Sequence, residues 1–153
     1  MACGSGFETT FTTTADDATL QTSTISVCRN DQCFETSFAD MKLPTDGPGT
    51  GRSKPFLDPV ERDRQKAPLV EVTVWDETPW RLAVRYSPWA STDWNDGDRY
   101  AVLFKDARGT ELHRAEAAVS YVRSAGCCQE ICGHATFDEP DGGADAGDAG
   151  DGG

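Results

Sequence analysis

Val70-Glu71-Val72-Thr73-Val74-Trp75 is followed, after Asp76-Glu77-Thr78-Pro79, by Trp80-Arg81-Leu82-Ala83-Val84-Arg85-Tyr86. In the first run Val70, Val72 and Val74 share one face. In the second Trp80, Leu82, Val84 and Tyr86 do. Alternation with period two puts successive side chains on opposite faces of a strand, one toward a core and one toward water. Two such runs around Thr78-Pro79 predict a β-hairpin.

The same pattern extends outward. Phe7, Thr9, Phe11 and Thr13 alternate with Glu8, Thr10 and Thr12. Tyr100, Val102 and Phe104 share a face, as do Ala117, Val119 and Tyr121, with Asp106-Ala107-Arg108-Gly109 as the turn before the latter strand. β-Branched and aromatic residues dominate these runs, as a pleated, half-buried surface favours. Helical periodicity is weak throughout. The best candidate is Pro59–Lys66, with Pro59 suited to a first helical position. Residues 40–68 carry five prolines and three glycines and read as a long loop or insertion. About seven short strands in some 130 residues predict an all-β antiparallel sandwich over residues 7–137.

Asp96-Gly97-Asp98-Arg99-Tyr100-Ala101-Val102 narrows the class. It resembles the tyrosine corner of immunoglobulin-like β-sandwiches, in which an Asp stands four residues before the Tyr and a core residue two after it. Val102 occupies the place of the antibody inter-sheet cysteine, so the resemblance implies the fold without that disulfide.

Six cysteines lie in three places: Cys3, then Cys28 and Cys33, then Cys127, Cys128 and Cys132. Ile25 and Val27 share a face, which turns Cys28 to the other. Phe34, Thr36 and Phe38 do the same for Cys33. With Arg29-Asn30-Asp31-Gln32 as the hairpin loop, Cys28 stands opposite Cys33, within disulfide reach. A Cys28–Cys33 bridge is expected. Adjacent cysteines rarely bridge one another, so Cys132 takes Cys128 or Cys127, with Cys128–Cys132 preferred. Paired cysteines imply an oxidising, extracytoplasmic compartment. The alternative is a zinc site drawn from Cys28, Cys33, Cys128, Cys132 and His134, although the spacings are looser than Cys-x2-Cys knuckles.

Met1-Ala2-Cys3-Gly4-Ser5 resembles the end of a bacterial lipoprotein signal, where a small residue precedes a cysteine that becomes lipidated. The resemblance implies a cell-envelope protein anchored through lipid at Cys3, with residues 1–6 as anchor and linker. No run of 18 apolar residues suits a membrane-spanning helix.

The 153-residue chain has a net charge of −12. Six of its acidic residues fall in Asp138–Gly153, a Gly/Ala/Asp stretch without aromatic or large aliphatic residues, which predicts a disordered acidic tail. The body is acidic too, with 20 acidic against 14 basic residues, and this argues against a nucleic-acid partner.

Motifs for chemistry are sparse. Asp46–Ser53 resembles a phosphate-binding loop but has Asp46 for its first Gly and Arg52 for its Lys, and it reads as a flexible loop. Asp93-Trp94-Asn95-Asp96-Gly97-Asp98 resembles the start of an EF-hand loop, but Gly97 and Phe104 stand where ligands belong. Trp89, Asp93, Trp94, Asn95, Asp96 and Asp98 remain candidate carbohydrate or calcium contacts in the 87–98 loop. Neither His113 nor His134 has a nucleophile motif beside it. The expectation is a non-catalytic envelope protein without cofactor, serving binding or structure, with a protein or glycan partner.

Overall fold

In a computed structural model of the chain, residues 7–88, 97–123 and 131–135 are described, with 120–123 and 131–135 as backbone. The described chain is mainly antiparallel β. Nine strands lie among the described residues: β1 (Phe7–Thr13), β2 (Thr24–Arg29), β3 (Gln32–Ser37), β4 (Gly51–Pro55), β5 (Leu69–Trp75), β6 (Trp80–Ser87), β7 (Asp98–Lys105), β8 (Glu111–Arg123) and β9 (Ile131–Ala135). Two short helices interrupt them, α1 (Asp17–Gln21) and α2 (Pro59–Gln65).

The strands make two sheets. One has the order β1-β6-β5-β4, the other β3-β2-β7-β8-β9. The β5–β6 hairpin expected around Thr78-Pro79 forms, with Val72 opposite Val84 and Val74 opposite Leu82. Asp106 stabilises the β7–β8 turn, where its carboxylate accepts from the amides of Arg108 and Thr110. Gly109 stands there at φ 82°, a conformation that glycine adopts without a Cβ penalty.

The sheets pack face to face in a sandwich-like arrangement. Phe11, Val70, Val72, Val74, Leu82 and Val84 of the first meet Ile25, Val27, Val102 and Phe104 of the second. Rings cross the gap, with Phe11 to Phe104 at 5.7 Å and Phe7 to Tyr100 at 4.5 Å between centroids. Each large side chain fully buried here contributes about 1.5–3 kcal/mol. Leu20 of α1 and Phe38 are fully buried at the margins of this core. The strand faces thus follow the parity of the sequence.

Residues 40–68, expected as a long loop or insertion with a candidate helix at Pro59–Lys66, carry regular elements. They hold β4, paired with β5, and α2. Met41, Leu43, Phe56 and Ala67 from this stretch are buried. The prolines punctuate the segment and do not keep it off the body. Pro59 opens α2 as expected, and the Asp58 carboxylate caps it by accepting from Val60 and Glu61. Asp46–Ser53 also differs from the flexible loop expected. Its turn is pinned to Asp76, whose carbonyl accepts from Gly49 and whose amide donates to Thr50. Helix α1 has little sequence signal beyond its cap, the Asp16 carboxylate, which accepts from Thr19 at 2.7 Å.

The β2–β3 hairpin is tighter than expected. Arg29 pairs with Gln32, so the loop is Asn30-Asp31 alone. Asn30 takes φ 53°, which asparagine tolerates better than most residues. Cys28 stands opposite Cys33, and their sulfurs are bonded at 2.03 Å.

Candidate functional site

The two ends of the sandwich differ in chemistry. At one end β7 begins, next to the β2–β3 turn. Asp98 is buried there at 4% exposure, and Arg29 donates to its Oδ2 from Nη2 at 2.6 Å and from Nε at 3.0 Å. Asn30 donates to the other oxygen at 3.0 Å. Asn30 also ties the turn to β7, donating from its amide to the Arg99 carbonyl and accepting from the Arg99 amide. Asp98, expected as a ligand contact, here accepts from Arg29 and Asn30 through its two oxygens.

Aromatic rings wall this ion pair. Phe7 stacks on Tyr86 at 5.5 Å, and Tyr86 meets Tyr100 edge-on at 5.2 Å. Burial works against the Arg29 charge, but the Asp98 hydrogen bonds, helped by Tyr100 and by the Asp98 charge, outweigh it. The guanidinium pKa therefore stands above its ordinary value. Burial likewise favours the neutral phenol of Tyr86, with Tyr100 adding to the effect, and its pKa is pushed up to about 12.

That shift has a measurable consequence. A tyrosine whose pKa is higher folded than unfolded stabilises the fold fully below the unfolded value near 10 and loses that contribution as pH rises toward 12. Urea unfolding between pH 10 and 12 should show stability falling with pH. The Tyr86→Phe protein should show a visibly flatter slope, and an unchanged slope would contradict the assignment.

The opposite end carries a cleft of about 510 Å3, open at the ends of β1 and the β5–β6 hairpin. Trp80 lines it, opposite Thr13 in register and packed against the core on its other side. Thr13, Thr14, Thr45 and Thr78 supply hydroxyls, while Asp17, Asp76 and Glu77 supply carboxylates. Two of these acids are already engaged. Asp76 accepts from the Gly47 amide at 3.2 Å, and Glu77 is paired with Arg81 at 3.0 Å. Arg81 also lies over Trp75, 3.9 Å from the ring centroid. Among the described residues no group of three or more His, Cys, Asp or Glu side chains converges as a metal site.

Sequence reading missed this cleft. It took Trp80 as a core-face strand residue and Thr78-Pro79 as a turn. Only folding brings Asp17 and Thr45 beside them. A Trp directly after an acidic hairpin loop was the one local signal available.

Other expected sites fare as follows. The Cys28–Cys33 bridge engages two of the five zinc candidates. His113 is stacked on Phe11 at 4.1 Å between ring centroids. Trp89, Asp93, Trp94, Asn95 and Asp96 lie outside the described residues. So do Cys3, Cys127, Cys128 and the tail 138–153. Cys132 and His134 are placed as backbone on β9, opposite Val122 and Ser120. No helix among the described residues is long and apolar enough to cross a membrane.

No family model, curated protein or solved structure matches this chain.

Proposed function

We propose that the protein is an extracytoplasmic, non-catalytic binding domain of the bacterial envelope, built as an immunoglobulin-like sandwich and anchored by lipid at Cys3. The observation that carries this reading is the Cys28–Cys33 bridge. Inward-facing Ile25 and Val27 are fully buried, whereas Cys28 is only half-buried and Cys33 is exposed on the solvent side of the hairpin. A bridge on the wet face is open to cellular reductants, and such bridges persist where the surroundings are oxidising.

Strand order supports the immunoglobulin-like class. β1-β6-β5 take the places of strands B, E and D, and β2-β7-β8 those of C, F and G. The chain changes sheets between β1 and β2, between β3 and β4, and between β6 and β7, in keeping with Greek-key connections. Tyr100 then falls near the start of the F-equivalent strand, where the tyrosine corner belongs. Fold alone does not specify a partner. The binding role rests on the cleft beside Trp80, whose volume falls within the range typical of ligand sites.

Rapid alkylation of the protein in its native cells, without reductant, followed by peptide mass spectrometry, tests this reading. Cys28 and Cys33 should be recovered as one disulfide-linked peptide pair, and Cys3 with a diacylglycerol adduct. Alkylation of both Cys28 and Cys33 would exclude the oxidising compartment. A Cys3 peptide of unmodified mass would exclude the anchor.

A further inference from the structure

We propose that the cleft beside Trp80 binds a neutral, hydroxyl-rich ligand, a glycan, stacked on the indole. This inference rests on the binding-domain reading and names the ligand class. The site lies at the end of the sandwich away from Ser87 and Asp98.

Charge and geometry select the ligand. Asp17, Asp76 and Glu77 would repel an anion. A bound metal ion needs converging ligands, and none converge among the described residues. A quaternary or ammonium cation is best held by a cage of several aromatics around unpaired carboxylates. Among the described residues Trp80 is the one aromatic lining the cleft, which makes no cage, and Glu77 is neutralised by Arg81.

What remains suits a sugar. Trp80 is held half-buried by the core, so its ring is fixed in advance and loses little entropy on binding. An indole presents a flat apolar face to the C–H face of a pyranose while its neighbours take the hydroxyls. Carboxylates accept from sugar hydroxyls, and threonine hydroxyls such as Thr13 both donate and accept. Asp76 still has one oxygen beyond the Oδ2 that Gly47 uses.

The test is an array of neutral gluco-, manno-, xylo-, galacto- and chito-oligosaccharides probed with the full chain, then tryptophan-fluorescence titration with each hit. At least one oligosaccharide should bind saturably. Trp80→Ala should weaken that binding by about tenfold or more. Because Trp80 also packs on the core, a second variant, Asp17→Ala with Thr78→Ala, alters exposed cleft residues only. It should weaken binding severalfold with an unchanged melting temperature.

Several outcomes overturn the proposal. One is an array without any hit from protein whose Cys28–Cys33 bridge is intact, which leaves the extracytoplasmic reading standing. Another is binding that survives both cleft variants. A third is saturable binding of choline or oligolysine with no oligosaccharide bound.

Discussion

Replacing Asp98 with alanine should lower the unfolding free energy by about 3–5 kcal/mol, the range for breaking a buried ion pair. The Arg29 side chain is 11% exposed and that of Asp98 4%, so water cannot replace the missing carboxylate without opening this end of the sandwich. Removing Asp98 takes away the acceptor shared by two Arg29 donors and by Asn30. The guanidinium cannot escape by losing its proton, since arginine stays charged. Denaturant unfolding at neutral pH measures the effect. The double variant Asp98→Leu with Arg29→Met should recover a large part of the loss, because it removes the uncompensated charge along with its partner. A loss below about 1 kcal/mol in Asp98→Ala would show that the pair is not buried in solution.

Phe104→Ala should cost a comparable 3–5 kcal/mol, as for large aromatic truncations in a packed core. Phe104 is fully buried on β7 and faces Phe11 of the opposite sheet, while Phe38 meets it edge-on at 6.0 Å. Alanine would leave a cavity that strands on both sides must hold open, since each is fixed by its own ladder. Val60→Ala, on the exposed face of α2, is the contrasting control and should change stability by less than about 0.5 kcal/mol. Unfolding curves with equal slopes would attribute the difference to stability alone. Similar midpoints for the two variants would contradict the packing described.

Strand faces were legible because parity is local. Val70, Val72 and Val74 declare their side of the sheet within six residues, whatever they pair with. Parity also located Cys28 opposite Cys33, although it overestimated the hairpin loop. Arg29 and Gln32 looked like loop residues because both are polar, yet they are the last pair of the ladder. Residues 40–68 were partly legible. Proline and glycine signal the ends of elements, so the helix opened by Pro59 shows in the sequence while the short polar strand β4 does not. Asp98 stands in an acidic stretch, where a carboxylate looks like a ligand. Its partner Arg29 is 69 positions away, and no local pattern names it.

The amino-acid order by itself determined the class of secondary structure, the inward face of each main strand and the one disulfide described. All of these follow from period-two alternation and from contacts between near neighbours in the chain. Tertiary structure alone decided which strands share a sheet, that Asp98 serves Arg29, and that Thr13, Asp17, Thr45 and Trp80 meet around one cleft. These depend on long-range closure, in which the best burial of both apolar faces selects the pairing, and polar groups at the sheet ends meet as a consequence.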